Sequence, residues 1–135
     1  MTARPRILVT RPLPVPVIAA LKNACDVTMR DTNTALGARD VTRALGEFDA
    51  ILPTLGDALD ADAIASADPC RCRLIANFGV GYNHIDLAAA RARGITVTNT
   101  PGAVTDATAD IAIALMLMVA RRAGEGERLV RSGAW

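Results

Sequence analysis

Aromatic residues are nearly missing from this chain: one Trp, one Tyr and two Phe among 135 residues. The core must therefore be aliphatic, and the stacking platforms of a single-strand nucleic-acid binder are excluded. Cysteine occurs three times, at Cys25, Cys70 and Cys72. An odd count argues against a disulfide framework, and Cys70-Arg71-Cys72 has the wrong spacing for a zinc knuckle. Reduced structural thiols are expected, and no metal site. Net charge is only +1, which points to no nucleic-acid and no charged-membrane partner. Long apolar runs are missing too. The longest, Ile111 to Ala120, is roughly half of the ~20 residues that a membrane span needs. Met1-Thr-Ala-Arg-Pro-Arg6 leads straight into a strand-like run without the pattern of a signal peptide. A cytoplasmic location is the default expectation.

What is present is a hydrophobic half, 51% of the residues, enough for the core of one ordinary domain. Short apolar runs alternate with helix-like segments. Arg6–Thr10, Asp26–Met29, Ala50–Pro53, Arg73–Asn77 and Ile95–Thr98 read as strands. Between them, Val17–Cys25, Arg39–Gly46, a segment capped by Asp60 and running to Ser66, and Ile85–Arg93 read as helices. Gly46 and Gly94 are the expected stops. A long helix is expected from Thr105 to Arg122, with Gly124 and Gly126 interrupting it before a short helical piece at Glu127–Arg131. Such alternation predicts an α/β fold: a flavodoxin-like five-stranded parallel sheet of order 2-1-3-4-5, helices on both faces, followed by a long interdomain helix. Ligands then belong beyond the carboxyl ends of the strands. Those exits are Thr54-Leu55-Gly56, Phe78–Asn83 and Asn99–Gly102.

Gly79-Val80-Gly81 follows the fourth strand. A dinucleotide fingerprint would continue to a third glycine and to an acid about twenty positions on. Here the sixth position is His84, and Asn99 stands where the acid would be. What remains is a bent backbone with free N–H groups at Val80 and Gly81, which suits a small carboxylate better than a pyrophosphate. His84, the single histidine, reads as an exposed or capping residue, and Asn83 or Asp86 as the cap of the helix that follows. In the long helix, Asp106 and Asp110 near the start and Arg121-Arg122 at the end match the macrodipole. Its middle is apolar all round, so it needs cover from a second domain or a partner chain.

Together these segments resemble the D-isomer-specific 2-hydroxyacid dehydrogenase family. The resemblance is carried by Asn77-Phe-Gly-Val-Gly-Tyr-Asn-His-Ile-Asp86, Arg93-Gly-Ile-Thr-Val-Thr-Asn-Thr-Pro-Gly102, Val104-Thr-Asp-Ala-Thr-Ala-Asp110, Arg121-Arg122 and Arg131-Ser-Gly-Ala-Trp135. Within the family the chain looks most like the glyoxylate/hydroxypyruvate reductase branch. Asn83 departs from the family, where Asp is commoner.

The resemblance implies a substrate-binding domain at 1–100. It implies the hinge and first helices of a truncated Rossmann cofactor domain at 101–135. It also implies that the Val80 and Gly81 amides hold the substrate carboxylate, that Leu55 lines the same pocket, and that Thr105 approaches the NAD or NADP cofactor. The intact protein would reduce a small 2-keto acid by hydride transfer and form a homodimer. The family's cofactor fingerprint and its catalytic Arg, acid and His lie beyond Trp135, so the chain is expected to hold no catalytic residue and to be inactive alone. A non-catalytic carboxylate-binding module or a corepressor-like interaction module is the alternative.

Overall fold

A computed structural model describes residues 3–135. They divide into two units, one ending at Thr100 and the other spanning Pro101–Trp135. The first unit carries strands β1 (Arg6–Val9), β2 (Asp26–Met29), β3 (Ala50–Leu52), β4 (Leu74–Ala76) and β5 (Thr96–Thr98). Helices α1 (Val15–Ala24), α2 (Ala38–Glu47), α3 (Ala61–Ala65) and α4 (Leu87–Ala92) connect them. All neighbouring strands pair in parallel, and the sheet order is 2-1-3-4-5, as the alternation predicts.

Register explains the core. Leu8 pairs with Ile51, Ile51 with Ile75, and Ile75 with Val97. Alternate strand residues share a face, so these four form an aliphatic row across the sheet. Val41, Ala44 and Leu45 of α2, Ala63 and Ile64 of α3, and Ala90 of α4 join them in one cluster. The chain steps outward from β1 to β2 and then back past β1 to β3. Right-handed crossovers therefore put α1 on the opposite face from α2, α3 and α4. There Val9, Ala50 and Ile18 are buried apart from the main cluster.

Caps define the helix starts. Asp60 accepts from the Ala63 N–H at 2.9 Å and Asp86 from the Ala89 N–H at 2.8 Å. Of the two expected caps for α4, Asp86 is the one used. Gly94, at φ +67°, closes that helix.

Several expected boundaries change, and α4 starts at Leu87 rather than Ile85 because Asp86 is its cap. Helix α1 begins at Val15, two residues early, because proline fits the first turn of a helix. Gly46 does not stop α2, which runs to Glu47. Its role is clearance: a Cβ there would lie 3.0 Å from the Pro69 carbonyl oxygen. In the second unit, α5 (Thr105–Ala120) and α6 (Ala123–Arg131) are not divided at Gly124 and Gly126, both of which lie inside α6. The break is Arg122, in the left-handed region at φ 51°. It leaves Arg121-Arg122 just past the end of α5 rather than in its last turn. The Arg122–Glu125 and Glu127–Arg131 ion pairs then support α6. No residue of α5 is buried, and its apolar side chains lie open on every side.

Two predictions follow from this packing. Gly46→Ala, which in an open helix interior stabilises by about 1 kcal/mol, is expected to lower stability here, as read by urea unfolding. Burial pushes the Cys72 thiol up to about 11, so it is expected to resist alkylation at neutral pH until the first unit is unfolded, as followed by mass spectrometry.

Candidate functional site

The carboxyl edge of the sheet is organised by two buried polar side chains. Asp57, 1% exposed, follows β3. Its Oδ2 accepts from the Thr10 hydroxyl at 2.6 Å and from the Thr54 N–H at 3.2 Å, and its Oδ1 accepts from the Leu36 N–H at 2.8 Å. Arg11 stands 3.6 Å from Oδ1. One carboxylate thus joins the exits of β1 and β3 to the loop ahead of α2. It also closes the turn that carries Leu55, whose side chain is exposed.

Asn77, 2% exposed, follows β4. Its backbone N–H donates to Thr98 O at 2.9 Å, and the Phe78 N–H donates to Pro53 O at 2.9 Å. Its side-chain Nδ2 donates to Gly79 O at 3.1 Å and to Gly81 O at 2.9 Å. The Thr100 N–H also reaches Gly79 O, at 3.0 Å, and Asn99 Nδ2 reaches Val80 O at 2.8 Å. All three carbonyls of the Gly79–Gly81 turn are therefore taken. Among the described residues, no acceptor sits on the N–H of Val80 or of Gly81. A Cβ built on Gly81 would meet nothing within 4 Å. Neither strain nor crowding within the fold calls for glycine there, and its bareness leaves the amide open to close approach.

His84 is neither exposed nor a cap, contrary to expectation. It is half-buried and lines a cleft of about 560 Å³ with Gly56, Asp57 and Asn83. Burial lowers its pKa below 6.5, with Asp57 opposing that shift and Arg11 adding to it. Neither Leu55, Val80 nor Gly81 lines that cleft. Thr105 belongs to the second unit, exposed in the first turn of α5. No group of three or more possible metal ligands occurs among the described residues.

The profile of the D-isomer specific 2-hydroxyacid dehydrogenase catalytic domain matches residues 7–127. The chain belongs to this family. It is 38% identical to a glyoxylate reductase of Thermofilum pendens, over 98% of this chain and 39% of that one. It is 37% identical to a glycerate dehydrogenase of Hyphomicrobium methylovorum, over 98% and 41%. A D-isomer specific 2-hydroxyacid dehydrogenase, NAD-binding, from Polaromonas sp. JS6 66 superposes with a TM-score of 0.83 at 35% identity, over 98% of this chain and 41% of that one. The chain thus spans about two fifths of the length of the relatives it matches.

The sequence reading found the turn and the Leu55 loop but missed their supports, Asp57, Asn77 and the Asn99 side chain. A usable signal was there. An amide placed right at the end of a strand, as Asn77 and Asn99 are, is well explained by bonding to loop backbone; Asp57, five residues past β3, carries no such mark.

Removing the Asp57 carboxylate strands the Thr10 hydroxyl and two N–H groups. Asp57→Ala is expected to cost about 3 kcal/mol in chemical denaturation. Because folding depresses the His84 pKa, its neutral form contributes stability that is fully present above pH 6.5 and lost as pH falls below it. Between about pH 7.5 and about pH 5.5, wild type is expected to lose more stability than His84→Gln; equal losses would refute this.

Proposed function

We propose that this chain is the substrate-side part of an NAD(P)-dependent 2-hydroxyacid dehydrogenase of the glyoxylate/hydroxypyruvate reductase branch, which reduces a small 2-keto acid by hydride transfer. Residues 1–100 act as the substrate-binding domain. Residues 101–135 supply the hinge and the first helices of the cofactor domain. The observation that carries the reading is the pair of N–H groups at Val80 and Gly81, left without acceptors while every carbonyl of their turn is held. Such amides suit a carboxylate, because charge-assisted bonds to backbone N–H are strong. Leu55, exposed on the neighbouring β3 exit, lines the same pocket.

The residues of this chain do not fit a dinucleotide site by themselves. Gly79-Val80-Gly81 lacks the third glycine, and α4 starts only at Leu87. Thr105 is the one residue here assigned to approach the cofactor, which supplies the hydride when bound. The chain's own contribution is to bind and orient the keto acid; the proton donor and the groups that tune it lie in parts of the family fold that this chain does not span. The relatives named glyoxylate reductase and glycerate dehydrogenase support the substrate class.

The intact protein works as a homodimer in the cytoplasm, without nucleic-acid or membrane partners. The exposed apolar side chains of α5, with Ile111 at 62% and Met116 at 68%, support association. Among the described residues, no helix is long and apolar enough to cross a membrane.

The complete protein is expected to oxidise NADH or NADPH with glyoxylate, and the 135-residue chain alone is not. In the complete protein, Gly81→Ala should leave the fold intact, since its Cβ meets nothing in the substrate domain. It should raise KM for glyoxylate roughly tenfold by crowding the amide. Turnover by the 135-residue chain, or an unchanged KM, would overturn the reading, and absence of any turnover by the complete protein would favour the non-catalytic binding module.

A further inference from the structure

The Asn77 side chain spends both of its hydrogen bonds on the Gly79–Gly81 turn, and its Oδ1 is buried with no partner. Buried polar atoms are nearly always paired. An apolar residue of similar size would avoid the cost of the orphaned oxygen and still fill the space. The amide is therefore not there for the core.

Its bonds go to the carbonyls on either side of Val80. Holding Gly79 O and Gly81 O fixes the peptide planes before Val80 and after Gly81, because each peptide is rigid. The plane between those two residues is held by Asn99 through Val80 O. The two amides divide the work: Asn77 acts from within the sheet edge, 2% exposed, and Asn99 acts from the exposed exit of β5.

We infer that Asn77 is a positioning residue for the carboxylate site: by locking Gly79 O and Gly81 O it presets the Val80 N–H and fixes the peptide beyond Gly81, while Asn99 sets the Gly81 N–H between them. This rests on the proposed carboxylate role of those amides. Preset donors cost no reorganisation when the anion arrives, so losing the lock should appear in substrate binding rather than in cofactor binding.

Two measurements test it. In the 135-residue chain, ¹⁵N relaxation reports the backbone order of residues 79–82. Asn77→Ala should loosen the Val80 and Tyr82 N–H groups, which share peptides with Gly79 O and Gly81 O, while leaving the amide shifts of α2 and α3 in place. Asn77→Ser, which keeps one donor and is the milder change should Ala unfold the unit, should loosen them partly. Asn99→Ala should act on the Val80–Gly81 peptide alone. In the complete protein, Asn77→Ser should raise KM for glyoxylate roughly tenfold with KM for the nicotinamide cofactor unchanged. Unaltered order in the Asn77 variants would overturn the inference whatever the ligand. If Gly81→Ala raises KM for glyoxylate and the Asn77 variants do not, the inference fails while the carboxylate reading stands. If none of these variants moves that KM, the carboxylate reading fails and takes the inference with it.

Discussion

Parallel strands all end at one edge, and the backbone leaving that edge has lost its ladder partners. In this chain, two buried side chains supply replacements. Asp57 collects the departures from β1 and β3, and Asn77 collects the departure from β4. The rest of the site depends on this. The exposed residues that would touch a ligand, Leu55, Val80 and Gly81, lie outside the buried core; they stand where the buried pair puts them. At the opposite edge, Asp49 does comparable work with less at stake. It accepts from the Arg6 N–H and from Arg71 in a two-point ion pair, in water. Arg71 holds its carboxyl below the usual range, but solvent screens the pair. Burial separates the two edges. An exposed pin can be lost to salt, whereas a buried one must be satisfied or the loop moves.

The two pins have different chemistry for a reason. Asp57 gathers donors: one hydroxyl, two N–H groups and a nearby guanidinium. A carboxylate can accept all of them. Asn77 faces carbonyls, which only a donor can hold, and its amide provides two N–H bonds in one plane. An Asp at that position would set oxygen against oxygen. The carbonyls of the 79–81 turn are neutralised from inside, and donors are what the turn has left to offer. An anion is the natural complement of such a surface.

Much of the fold was legible in the sequence because aliphatic runs and helix-like segments alternate cleanly and few topologies satisfy right-handed crossovers. The register row Leu8–Ile51–Ile75–Val97 is that pattern in three dimensions. The errors share a cause. Gly46, Gly124 and Gly126 look locally like punctuation, yet Gly46 is a contact point for the Pro69 carbonyl and the others lie within a helix. Local propensity says what glycine permits; only the tertiary neighbour says why it is used. The same holds for the site. Gly79-Val80-Gly81 was visible as a turn with free amides. That Asn77 creates the freedom depends on where a side chain three positions back points, and no local pattern reports it.

His84 shows why the chain divides chemical labour. A histidine near the Gly79–Gly81 turn invites the role of proton donor, and the structure argues against it on two independent grounds. The cleft it lines excludes Leu55, Val80 and Gly81, so it does not face them across that cleft. Its burial favours the neutral ring, whereas a group that must deliver a proton to a carbonyl should be held in its charged form by a neighbouring acid. Asp57 pulls in that direction, but its oxygens are already committed to three donors that hold the loops. Diverting it to serve a histidine would release the β3 exit and Leu55 with it. The carboxylate that could have tuned an acid is used for architecture, so the proposed substrate role of this chain is to orient and not to supply a proton.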